Sequence, residues 1–116
     1  GSSYVVALKV QESDGTKGTV KEFNALDRWN TGDPKYRTSW QFSFKCDQIG
    51  MFYWLVQKSH ITTVPTFGTV SDNSANTVPY SNIEAETSFW INDLQPGVSY
   101  VAFGWCKAAS SDRATS

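Results

Sequence analysis

The stretch Ser39-Trp40-Gln41-Phe42-Ser43-Phe44-Lys45-Cys46 decides the fold class, because Trp40, Phe42, Phe44 and Cys46 alternate with Ser39, Gln41, Ser43 and Lys45 in strict period two. Successive side chains of a strand project to opposite faces, so this pattern describes a strand with one apolar and one wet face. Asp47-Gln48-Ile49-Gly50 then forms a short connection into Met51-Phe52-Tyr53-Trp54-Leu55-Val56-Gln57. That run is apolar on both faces, as expected of a central strand or of one whose outer face is covered. The two strands together read as a hairpin.

Toward the C-terminus, residues 88–92 read as another strand, and Asp93-Leu94-Gln95-Pro96-Gly97 turns it into a last one over residues 98–107. In that last strand Tyr100, Ala102, Gly104 and Cys106 share one face, while Val101, Phe103 and Trp105 share the other. Between these elements, residues 61–70 form a weaker strand interrupted by Pro65. Proline cannot donate to a ladder, so this strand is expected at a sheet edge. Residues 71–76 read as loop. Toward the N-terminus, residues 4–11 are a β-branched-rich opening strand, followed by an Asp14-Gly15 step suited to a tight turn. Residues 19–23 read as a short strand pairing back on it, and residues 24–36 as a long loop without period. No segment of helical length carries an apolar stripe at helical spacing, and no internal repeat is present.

Composition agrees with an all-β reading. Five Trp, five Tyr and seven Phe, with the β-branched residues, fall in short runs between Gly, Pro, Asn, Asp and Ser. A chain of 116 residues suits one domain, expected over residues 4–116, with Gly1-Ser2-Ser3 reading as a cloning remnant. A net charge of -1, with Lys and Arg spread along the chain, gives no footprint for nucleic acid or an anionic membrane surface. The longest apolar run, over residues 51–56, is far shorter than the ~20 residues a membrane helix needs, so direct membrane insertion is not expected. Two cysteines permit one disulfide or two buried thiols.

Leu94-Gln95-Pro96-Gly97-Val98-Ser99-Tyr100 resembles the L-x-P-G-x-x-Y turn between strands E and F of fibronectin type III domains. In that family the residues three and five before the Leu point inward, here Ile91 and Phe89, and the Tyr starts strand F and caps the core. A physical reason stands beside the resemblance, since a buried Tyr hydroxyl needs a partner and backbone at the corner between two sheets offers one. The resemblance covers residues 89–107 and 37–57 and fades before residue 37. The chain departs from the family in two places. Cys46 stands where the family's strand-B Trp usually sits, with Trp40 six residues earlier, and only residues 108–116, mostly Ser, Ala, Asp and Thr, remain for a strand G.

The resemblance implies an all-β, antiparallel two-sheet sandwich whose last strand, G, is missing, truncated or supplied elsewhere. It gives structural roles to Tyr100, Leu94, Pro96, Gly97, Trp40, Cys46 and Cys106. Strands B and F of such a sandwich run in the same direction in opposite sheets, and each cysteine lies six residues beyond an inward Trp40 or Tyr100. An intersheet Cys46–Cys106 disulfide is therefore expected, whereas unequal heights would leave two buried thiols.

Few residues point to catalysis, and no catalytic residue, metal or cofactor is expected. His60 is the only histidine, so neither a nucleophile–histidine pair nor a multi-histidine zinc site has its partners. Glu84 and Glu86 are spaced to share a strand face like a glycosidase carboxylate pair, against the plainer reading of two solvated charges that discourage edge pairing. Asp27, Asn30 and Asp33 gather oxygens in one loop at a spacing that does not match the known calcium loop.

The aromatic residues carry more. If Tyr100, Ala102, Gly104 and Cys106 face the core, Phe103 and Trp105 face outward. The neighbouring strand then adds either Tyr53 and Leu55 or Phe52, Trp54 and Val56 to that outer face. Trp105, Phe103, Trp54 and Tyr53 are thus the candidate ligand-binding set, with Trp54 the expected partner of Trp105 in a sugar-stacking platform. The same face would otherwise meet a neighbouring domain or lie under the loop at 24–36, which contains Trp29. Trp90 belongs to the opposite sheet and does not join that platform.

The function expected from this reading is a non-catalytic interaction or spacer module of a multidomain, bacterial, secreted or surface protein, extracellular or periplasmic. Such a parent would be an adhesin, a surface lipoprotein or a glycan-degrading enzyme. A carbohydrate-binding module is one alternative, and a pilus or adhesin subunit completed by a donated strand is another. The partners are accordingly neighbouring domains, another protein or a glycan.

Overall fold

The structure, a computed structural model, describes residues 8–13, 18–26, 39–67, 76–95 and 97–109. Its elements are β1 (Leu8–Glu12), β2 (Val20–Leu26), β3 (Trp40–Cys46), β4 (Gly50–Lys58), β5 (Thr77–Tyr80), β6 (Thr87–Ile91) and β7 (Tyr100–Ala108). They form two sheets, of order β1-β7-β4-β5 and β2-β3-β6. Four of the five strand pairings are antiparallel, and β1 with β7 is parallel. The expected wholly antiparallel arrangement is corrected at that one pairing.

The alternation of β3 points Trp40, Phe42, Phe44 and Cys46 at the other sheet, and all four are buried. The rings of Phe44 and Phe52 stack across the gap at 4.0 Å with an interplanar angle of 8°. Phe23 touches Phe42 and Phe52 at 5.5 and 5.3 Å, and Phe89 sits 5.9 Å from each of Phe42, Phe44 and Phe52. Aromatic pairs at these separations add to the burial of their large surfaces. Gly104 makes room for this packing, because a β-carbon there would overlap the Phe52 ring and approach Phe23 at 3.1 Å.

The strand after Gly50 is no hairpin partner of β3. Residues 47–49 carry the chain across the sandwich, and β4 lies between β7 and β5 in the other sheet. Its two apolar faces explain the choice, since a central strand buries both, while the single apolar face of β3 is satisfied across the core. Three other expectations are corrected. Residues 19–23 do not pair back on the opening strand, because β2 joins β3 in the second sheet and takes residues 24–26 with it. Residues 61–66 form no strand, and Gln57 instead donates its side-chain amide to the Thr63 carbonyl at 2.8 Å. The edge beside β4 belongs to β5, where Pro79 faces Met51 at a position that tolerates the missing donor.

The seat on the far edge of β7 is filled by the opening strand. β1 runs alongside from Leu8 opposite Tyr100 to Glu12 opposite Gly104, and Gly18 returns to bridge Cys106. An incoming strand would find that edge taken. Cys46 and Cys106 form a disulfide, with Cα atoms 6.0 Å apart, that joins the two sheets at the same end. Beside it Thr19 and Asp47 exchange bonds, the Thr19 N–H donating to the Asp47 carboxylate at 2.9 Å and the Asp47 N–H to the Thr19 carbonyl at 3.1 Å.

At the opposite end of β7 the chain turns over residues 93–99. Gly97 has φ of 80°, the left-handed value that the third position of a type II turn requires, and the Val98 N–H closes the turn on the Gln95 carbonyl at 3.3 Å. Pro96 lies outside the described residues. Leu94 is buried, and the Gln95 N–H donates to the buried Tyr100 hydroxyl at 2.9 Å. Tyr100→Phe should therefore lower folding stability by about 1–3 kcal/mol, the cost of leaving that N–H unpaired, read as a shifted midpoint in a denaturant melt.

Candidate functional site

Register in the four-stranded sheet sorts the aromatic candidates. Tyr53 faces Trp105 and Leu55 faces Phe103, whereas Trp54 faces Gly104 and Val56 faces Ala102. The outer face therefore carries Tyr53 and Leu55, and Trp54 turns to the core, 5.7 Å from Phe89. Trp54 and Trp105 lie on opposite faces of the sheet, so they do not form the expected pair. Nor do Trp105 and Phe103 face solvent, because they are only 3% and 4% exposed. They stack at 6.0 Å and form a second apolar cluster with Tyr53, Leu55, Val101 and Phe67. Phe67 stands edge-on to Tyr53 at 5.2 Å. The segment after β4 thus helps cover the face, and the residues of the expected cover beyond Leu26, including Trp29, lie outside the described residues.

The polar candidates come out separately. His60 is exposed in the turn after β4. Glu84 sits in a turn, its N–H bonded to the Asn82 side chain at 2.9 Å, so Glu84 and Glu86 do not share a strand face and both are exposed. Asp27, Asn30 and Asp33 lie outside the described residues. Among the described residues no group of His, Cys, Asp or Glu is placed to hold a metal ion, and no helix is long and apolar enough to cross a membrane. A half-open pocket of about 290 Å³ is lined by Ile49, Gly50, Met51, Tyr53, Lys107 and Ala109 at the disulfide end of the four-stranded sheet.

One buried polar group stands out. Tyr80 packs edge-on to Phe44 at 5.4 Å, and its hydroxyl has no hydrogen-bond partner among the described residues. Burial, and secondarily the negative charge of Asp47, push its pKa up to about 12. An ionised hydroxyl is disfavoured there because nothing replaces the water it loses.

The outer face of the three-stranded sheet differs from that of its partner sheet. Its cross-strand rows are Leu26–Gln41–Trp90, Asn24–Ser43–Ser88 and the pair Glu22–Lys45. Trp90 is 40% exposed, and Glu22, Asn24 and Ser88 are exposed as well. Alternation in β6 already sends Trp90 outward from Phe89 and Ile91. Sequence reading set it aside because it could not reach Trp105, and the neighbours that make it a surface appear only with the β2–β3–β6 register. No family model matches the chain, and neither curated proteins nor solved structures give a significant match.

Two measurements follow from this geometry. Trp105→Ala should destabilise the domain by about 3–5 kcal/mol in a denaturant melt, as for a fully packed Trp, in contrast to a near-neutral change at an exposed ring. Because Tyr80 keeps its proton in the folded state up to about pH 12, while an unfolded Tyr loses it near pH 10, stability should fall as pH rises through that window. Tyr80→Phe should remove this contribution to the alkaline loss in thermal melts, and at neutral pH it should leave the midpoint unchanged or higher.

Proposed function

We propose that this chain is a non-catalytic interaction module with the fibronectin type III-like sandwich plan, carried by a multidomain extracellular or surface protein. The observation that carries the reading is the corner at residues 94–100, where buried Leu94, left-handed Gly97 and the Gln95 N–H to Tyr100 hydroxyl bond reproduce the roles that the L-x-P-G-x-x-Y turn implies. The strand G position of that plan is held by β1 in parallel register. The Cys46–Cys106 bond supports an oxidising compartment. Closing a loop of sequence separation 60 restricts the unfolded chain, and loss of such a bond from a small domain costs about 2–5 kcal/mol.

The interaction role rests on what the scaffold leaves outside. Among the described residues the aromatic side chains are largely consumed by two packed clusters, and the surface that remains carries polar and charged side chains together with Ile49, Ile61, Val64 and the Trp90 ring. Such a surface can recognise a partner without chemistry of its own. The reading is tested by presenting the oxidised chain to an array of glycans and extracellular proteins, with mass spectrometry of the retained ligands. Saturable binding to one class, with that ligand recovered unaltered, is the expected result. Turnover of a retained ligand, or no saturable binding to any, would sink it.

A further inference from the structure

Among the described residues the two sheets end in four edge strands, and three of them carry a device against further pairing. β1 presents Lys9 and Glu12, β5 is four residues long and contains Pro79, and β2 carries Lys21 and Glu22 with a register shift between Val20 and Glu22. Charges, proline, short length and bulges are the means by which edge strands avoid strand addition. β6 lacks the first two and any bulge. Thr87-Ser88-Phe89-Trp90-Ile91 holds no charge, proline or glycine, and among the described residues β6 pairs in unbroken register with β3 alone. Its other edge therefore keeps backbone N–H and C=O groups unpaired, which is a template for one more strand.

The strand that fits this template is β6 itself. Two copies related by a two-fold axis perpendicular to the sheet pair antiparallel and keep their inner faces on the same side. Because side chains alternate, only registers that set even numbers against even and odd against odd preserve those faces. Among these, the register centred on Phe89 alone matches all five residues of the strand. Phe89 then meets its counterpart on the axis, Thr87 faces Ile91, and Ser88 faces Trp90. The flanking charges agree with this register. Glu86 faces Asn92, whose amide can donate to the carboxylate, and Asp93 faces Ala85, so no acid is set directly against an acid. Ser88 and Trp90 are exposed on the outer face, and each Trp90 ring comes to lie diagonally opposite its twin, a separation that aromatic side chains can span.

We infer that this chain self-associates through β6, two copies pairing antiparallel about Phe89 so that their three-stranded sheets join into one of six strands. The contact is one strand wide, smaller than a standard interface, so the dimer is weak and depends on concentration. The inference goes beyond the interaction-module reading, and neither depends on the other. It is tested on the whole oxidised chain by sedimentation equilibrium from about 10 μM to about 1 mM, with amide hydrogen exchange at both ends of that range. The mass should rise toward twice that of the chain, and protection should increase along β6 and at no other edge. Ser88→Glu and Ser88→Lys alter an exposed side chain and set like charges diagonally across the axis. Each should weaken association about tenfold, equivalent to ~1.4 kcal/mol, with the thermal midpoint of the dilute chain held. An equimolar mixture of the two variants should associate more tightly than either alone. A single-chain mass throughout, growth beyond two copies, protection at another edge, association unchanged in both variants, or a mixture no tighter than its components would overturn the proposal.

Discussion

Strand β7 has no wet face along most of its length, and the rest of the structure is organised by that constraint. Tyr100, Ala102, Gly104 and Cys106 are buried on one side and Phe103 and Trp105 on the other. A strand of this kind must lie inside its sheet, so it needs a neighbour on each edge, and β4 and β1 supply them. Each face also needs a cover. One is the other sheet, packed closely enough that Gly104 has no space for a β-carbon against Phe52. The other is the cluster that includes Tyr53, Leu55 and Phe67. The two ends of the strand are pinned by different chemistry, a hydrogen bond from Gln95 to Tyr100 at one and the Cys46 disulfide with the Gly18 bridge at the other.

What was legible in the sequence was what alternation and local turns encode. Period two in residues 39–46 and 98–107 gave two strands and their inward faces, and the spacing of Trp40, Tyr100 and the two cysteines led to the disulfide through the resemblance. What was not legible was pairing. The connection at residues 47–49 looks like a hairpin turn because its length suits one, and nothing local says that the chain changes sheets there. The four residues of β5, one of them Pro79, carry too weak a pattern to declare a strand before β4 is seen to need a partner. Burial of Trp105 was likewise beyond a face assignment, which says which way a side chain points and not what lies over it.

The place of β1 is the clearest case of a nonlocal choice. Its partner lies some ninety positions away, Leu8 against Tyr100, and the ladder is parallel, a pairing no short turn can specify. Once seated, β1 becomes the edge strand and is suited to it: Lys9, Gln11 and Glu12 are exposed, while Leu8 and Val10 pack partly against the core. Charged residues on an edge discourage further strand addition. Glu12 also reaches β2, accepting the Phe23 N–H at 3.3 Å, and so satisfies a donor on the outer edge of the second sheet. One short element thereby closes the open side of one sheet and ties itself to the other.

The two outer faces then divide the work of the molecule. On the four-stranded sheet, apolar rings are consumed by contact with one another and with the segment after β4, which adds stability and leaves little ring surface for a partner. On the three-stranded sheet the outward positions are mostly polar, with Asn24, Ser88 and Trp90 exposed, whereas Ser43 at the centre of β3 is wholly buried. The Trp90 indole on that face is 40% exposed, so it still buries the larger part of its surface and contributes to folding as well. The two sheets thus differ at their outer faces: packed apolar rings lie over the four-stranded one, whereas the three-stranded one sets polar side chains and the partly exposed Trp90 ring around a buried Ser43.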